Sequence, residues 1–120
     1  MSIRYLLLVA LSLCLLGLAA CNDDGTIPPP LAVTIYAQDI KFDMTTMTAK
    51  VDQPVTLTYI NQGVIDHGFK IEGLVEETNI KPGQTATIEF TPTKAGEYRY
   101  ICAVPGHEPA GMVGTLLVEG

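Results

Sequence analysis

Across residues 31–120 no window sustains a helical period, and a Gly, Pro or Asn interrupts the chain roughly every ten residues. That punctuation leaves no room for helices of ordinary length and dictates short extended segments joined by turns. Leu31, Val33 and Ile35 alternate with Ala32, Thr34 and Tyr36, the two-residue period of a strand with one buried face. Val55, Leu57 and Tyr59 mark a second such face. Further strands are expected at residues 47–51, 69–71, 85–90, 97–102 and 112–118. Lys81-Pro82-Gly83-Gln84 reads as a tight turn with Pro and Gly in the central positions, and residues 92–96 form the next. About seven or eight strands at this spacing predict an all-β, antiparallel sandwich with one core. There is no internal repeat.

The first twenty residues follow a different rule. Arg4 precedes an apolar run from Leu6 to Leu18, and small residues follow. A short positive region, a hydrophobic stretch and small residues are the signature of an export signal. The competing reading is an uncleaved membrane helix, since about 18 apolar residues can just cross a bilayer. Leu18-Ala19-Ala20-Cys21 favours the first reading, because it resembles the lipobox of bacterial lipoproteins. That resemblance implies that residues 1–20 are a lipoprotein-type signal peptide, removed together with Cys14, and that Cys21 is the lipid attachment site. More than one acyl chain would make the anchoring stable. Residues 21–30 carry Asn22, Asp23, Asp24 and Pro28-Pro29-Pro30, too polar and Pro-rich to form a core. They are expected to be a flexible tether reaching at most ~30 Å.

Charge and histidine count then remove whole classes of function. Seven Lys and Arg stand against 13 Asp and Glu, a net charge of −6, so no basic patch can displace counterions from nucleic acid. Two histidines exclude any site that needs three imidazoles.

The residues able to do chemistry cluster in Cys102-Ala-Val-Pro-Gly-His107-Glu-Pro-Ala-Gly-Met112, a Cys-x4-His-x4-Met loop between two expected strands. His67 lies in a separate hairpin between Asn61 and Phe69. A thiolate, two neutral imidazoles and a weak thioether are the donors of a blue-copper site. Thiolate and thioether suit Cu(I) and imidazole suits Cu(II), so little has to move when one electron comes or goes. Each residue alone has a plainer explanation: Cys102 as a small buried hydrophobe, either histidine as a satisfied loop residue, Met112 as core filler. A Cys21–Cys102 disulfide is a further alternative, but it would consume both the anchor and the thiolate. The joint pattern favours copper. Met44 and Met47 lack the spacing and read as packing residues, as do Tyr98 and Tyr100. Among the acids, Asp66 and Glu108 adjoin the two histidines.

Over residues 31–120 the chain resembles the cupredoxin family of small type 1 blue-copper proteins. The likeness rests on Pro82-Gly83-Gln84, on Gly96 through Cys102, on Pro105-Gly106-His107, on Gly111-Met112 and on Gly114 through Val118. It is most like the auracyanin-, plastocyanin- and azurin-type carriers. The resemblance implies a Greek-key β-sandwich holding one copper ion, with His67, Cys102 and His107 as equatorial ligands and Met112 as the axial one. It also implies a monomer that is not an enzyme. With the lipoprotein-type signal, the expected function is a membrane-tethered electron carrier on the extracytoplasmic face of a bacterial membrane, in the periplasm or cell envelope. Its expected partners are redox proteins or membrane electron-transport complexes. Copper delivery or storage without electron transfer is the alternative. A multicopper enzyme would need further imidazoles, and a binuclear copper centre a second cysteine in the loop. Two positions depart from the family: Gly68 and Ala103 stand where an Asn and a Ser or Thr usually tie the two ligand loops together.

Overall fold

The computed structural model describes residues 25–120. The expected signal peptide of residues 1–20 and the expected lipid attachment at Cys21 lie outside them. Nine strands follow one another without a helix among the described residues: β1 (Leu31–Gln38), β2 (Lys41–Phe42), β3 (Thr46–Lys50), β4 (Val55–Asn61), β5 (His67–Ile71), β6 (Val75–Ile80), β7 (Thr85–Phe90), β8 (Gly96–Ile101) and β9 (Val113–Glu119). They build two sheets, ordered β2-β1-β4-β7 and β3-β9-β8-β5-β6. Among the described residues no helix is long and apolar enough to cross a membrane.

The alternation read from the sequence places the core. Val55, Leu57 and Tyr59 of β4 are buried, as are Ile35 and Ala37 of β1, facing Ile71, Leu116 and Val118 from the other sheet. Between the sheets Phe42, Tyr59, Phe69 and Tyr100 pack edge-on or tilted, with ring centroids 5.3–6.2 Å apart, in the offset geometries that aromatic quadrupoles favour. Met47 is buried in this core and Met44 packs against it, as their role as packing residues requires.

The sandwich is mixed rather than wholly antiparallel. Antiparallel pairing joins β1 to β2, β4 to β7, β5 to β6 and β8, and β8 to β9. By contrast, β1 runs parallel to β4 and β3 parallel to β9. The cause is connectivity. Between β1 and β4 the chain crosses to the other sheet as β3, and such a crossover returns a strand in its original direction. β6 and β2 were not expected from the sequence. β6 is an edge strand with one buried position, and β2 is only two residues long.

Gly83 has φ 78°, and Gln84 N–H donates to Lys81 C=O at 3.0 Å, closing the expected turn between β6 and β7. Residues 25–30 form no strand, yet they are not free of the sandwich. Gln53 Nε2 donates to Pro29 C=O at 2.8 Å, and Leu31 N–H to Pro54 C=O at 2.8 Å. The chain therefore enters the sandwich at the start of β1. The far end of β1 leads directly to Asp39, about 23 Å away along the strand.

Candidate metal centre

Three strand ends converge at that far pole. His67 opens β5, Cys102 follows β8 directly, and Met112 immediately precedes β9. Because β8 and β9 are paired, Cys102 and Met112 are held opposite each other, and Cys102 N–H donates to Met112 C=O at 3.1 Å. The intervening loop satisfies itself: His107 N–H donates to Val104 C=O at 3.0 Å, Gly111 N–H to Glu108 C=O at 3.0 Å, and Met112 N–H to His107 C=O at 3.1 Å. His107 and Met112 are thus fixed by backbone bonds before any ion is considered.

The donor atoms of His67, Cys102 and His107 all lie within 4.8 Å of one another. His67 Nδ1 is 3.2 Å from His107 Nδ1, and Cys102 Sγ is 3.3 Å from His107 Nδ1. His67, Cys102 and Met112 are fully buried, and His107 is only 7% exposed. Two neutral imidazoles and a thiol drawn so close without a carboxylate between them suit a soft or borderline ion, not Ca²⁺ or Mg²⁺. With the Met112 thioether as a weak fourth donor, the set is that of a type 1 copper site.

The environment shifts the charge states of Cys102 and His107. Burial pushes the Cys102 thiol up, opposed by backbone N–H groups of Gly68 and Val104 that favour the thiolate. Gly68 N–H lies 3.1 Å from Cys102 Sγ. Burial, with His67 beside it, pushes His107 below the usual imidazole range, which keeps its Nδ1 lone pair available for a metal. Below the site the Tyr59 hydroxyl donates to Gly68 C=O at 2.9 Å, and burial raises its pKa.

The two departures at Gly68 and Ala103 are compensated by backbone. A Cβ on Gly68 would overlap the ends of the Glu77 and Asn79 side chains of β6, so a side chain here would require both to swing away. The tie between the two ligand loops is the Gly68 N–H on the Cys102 sulfur, while Asn61 braces the loop that leads to His67. The buried Asn61 side chain donates to Ile65 C=O at 2.8 Å and to Ile80 C=O at 3.1 Å, and accepts from Gly63 N–H at 2.8 Å.

The acids next to the histidines face elsewhere. Asp66 pairs with Lys81 at 3.4 Å, and Glu108 pairs with Arg99. The carboxylate that reaches a ligand is Asp39, whose Oδ1 lies 2.9 Å from His67 Nε2. It is 28 positions distant in sequence, and no motif around Gln38-Asp39-Ile40 marks it. The Val64 backbone N–H, then His67, hold its carboxyl below the usual aspartate range.

The chain is 24% identical to Auracyanin-A of Chloroflexus aurantiacus over 98% of both chains. It is 27% identical to the copper-resistant cuproprotein CopI of Rubrivivax gelatinosus over 71% of this chain, and spans 64% of that protein. Among solved structures, a reduced auracyanin from Roseiflexus castenholzii superposes with TM-score 0.71 at 20% identity, covering 78% of this chain and all of the other. The description "Cupredoxin-like domain" matches residues 6–118, a span that takes in both sheets and all four donors. The β-sandwich, the His67–Cys102–His107–Met112 set and that near-complete match agree: the chain belongs to the cupredoxin family.

Proposed function

We propose that this blue-copper protein is a one-electron carrier, tethered through Cys21 to the extracytoplasmic face of a bacterial membrane, that cycles Cu(I)/Cu(II) between redox proteins. The observation that carries this is the closure of the site. Three donors are wholly buried and the fourth nearly so, with hydrogen bonds fixing their loops. Such a cage favours electron transfer through a fixed shell of ligands and resists the ligand exchange that copper delivery requires. The relative named for copper resistance supports the delivery reading, but the burial of all four donors weighs against it.

His107 is the exit for the electron. Pro105, Gly106, Pro109, Ala110 and Gly111 around it are exposed, and Val64 and Ile65 stand out across the site, Val64 at 82% exposure. Arg99 and Lys81 pair with the neighbouring Glu108 and Asp66, so the charges nearest this apolar patch are largely paired, and Asp39 remains at its edge. A small apolar face suits a brief, weak contact. Residues 25–30 join the sandwich at the opposite pole, and a short leash from Cys21 would raise the effective concentration near membrane partners.

The Cu(II) protein should show an intense thiolate-to-copper band and narrow EPR hyperfine splitting; a colourless Cu(II) form would end the carrier reading. Cys21→Ala should release the domain from membranes or leave an uncleaved precursor, with the blue site intact. Processing and membrane retention like the wild type would refute the anchor. Ala110→Arg should leave spectrum and potential unchanged but slow self-exchange and partner reduction roughly tenfold, equivalent to about 1.4 kcal/mol of docking free energy. Unaltered rates across a range of salt concentrations would move the exit elsewhere.

A further inference from the structure

We propose that Asp39 is the positioning residue of the copper centre: its carboxylate fixes the His67 ring with Nδ1 towards the metal and biases the site towards Cu(II). This rests on the copper reading above. His67 has one nitrogen in the donor cluster, Nδ1, and the other, Nε2, 2.9 Å from Asp39 Oδ1. A ring that coordinates through Nδ1 carries its proton on Nε2 and donates it to the carboxylate. That bond sets both the tautomer and the rotation of the ring.

The carboxylate is held in turn. Val64 N–H donates to Asp39 at 2.9 Å to Oδ2 and 3.2 Å to Oδ1. The loop bearing Val64 is pinned by the Asn61 side chain through Gly63 N–H and Ile65 C=O. Gly63 makes the close approach possible: a Cβ there would overlap the Asp39 carboxylate and come within 2.9 Å of His67 Nε2. One aspartate thus joins the end of β1, the β4–β5 loop and a ligand. It also brings a negative charge. A carboxylate accepting the Nε2 proton makes the imidazole a stronger donor and stabilises the higher positive charge of Cu(II).

The test uses the full chain. In the copper-free wild type, ¹⁵N NMR of the imidazoles should show His67 protonated at Nε2, with a proton protected from exchange. A His67 ring protonated at Nδ1, or one exchanging freely between tautomers, overturns the proposal whatever the variants do. Asp39→Asn keeps an acceptor of the same size and removes the charge. It should lower the ratio of Cu(II) to Cu(I) affinity about tenfold, a rise in potential of about 59 mV for a one-electron couple. Gly63→Ala, which displaces the carboxylate but keeps its charge, should shift the ratio in the same direction and abolish the protection of the Nε2 proton. A shift of about threefold or more in Asp39→Asn, with the blue band retained, carries the proposal; a smaller one overturns it. A wild-type protein with no blue band would instead count against the copper reading itself.

Discussion

Replacing Cys102 with serine should erase the visible band of the Cu(II) protein and weaken Cu(I) binding by roughly 10³-fold or more. That exceeds the 10–100-fold cost typical of losing a partner that only orients a ligand. The band arises from charge transfer out of a thiolate, and a hydroxyl has neither the softness nor the acidity to replace it. Proton linkage gives a second signature. Burial holds the Cys102 thiol above its ordinary pKa, so near neutral pH the copper-free protein carries that proton and the metal must displace it. Below the raised pKa, each unit of rising pH removes competition from one proton. Wild-type Cu(I) affinity should therefore climb about tenfold per unit through the neutral range. His107, pushed below the usual imidazole range, adds little to that slope near neutrality. Competition titrations against a Cu(I) chelator at several pH values would measure both effects. A blue Cys102→Ser protein, or a wild type with no pH dependence, would contradict the assignment.

The four donors are legible in the sequence because three share one loop of fixed spacing, and the fourth is the only other histidine in the chain. β1 and β4 are legible because each buries one face, and burial imposes a two-residue period. β6 is not, because an exposed edge strand such as Val75-Glu-Glu-Thr-Asn-Ile80 has little buried face to impose one. The parallel pairings are hidden for another reason: strand direction is set by the route of the chain between sheets, which leaves no mark on either strand. Asp39 shows the same limit at the site. Asp66 and Glu108 adjoin the histidines in sequence and pair with cations, whereas Asp39 is distant in sequence and touches the ring. Asp66 and Glu108 lie in loops and turn to the cations Lys81 and Arg99, so a neighbour in sequence is here the wrong place to find a ligand's partner.

Gly114→Ala should be the most damaging single methyl among the described residues. Gly114 of β9 pairs directly with Tyr100 of β8, and a Cβ on Gly114 would fall within the Tyr100 ring. The ring has nowhere to go. It is fully buried, packs against Phe42 and Phe69 with centroids 5.4 and 5.5 Å away, and anchors its hydroxyl on Met44 C=O at 2.7 Å. Burial also pushes that hydroxyl's pKa up to about 12, so it remains a donor. The added methyl must separate β8 from β9 or expel the ring. Overpacking of this kind costs about 3 kcal/mol, the upper end of its usual range. For a domain of this size that is a fall in Tm of roughly 12–24 °C. The same displacement reaches the copper, because Cys102 lies two residues beyond Tyr100 and Met112 two before Gly114. Colour and stability should therefore fail together. Tyr100→Leu alone should cost the aromatic contacts and the Met44 bond. Added to Gly114→Ala, it should restore part of the loss, a favourable coupling visible in a double-mutant cycle. Urea denaturation of the copper-free proteins would measure it. A Gly114→Ala variant with a wild-type midpoint would show that the ring is free to move, contrary to its packing.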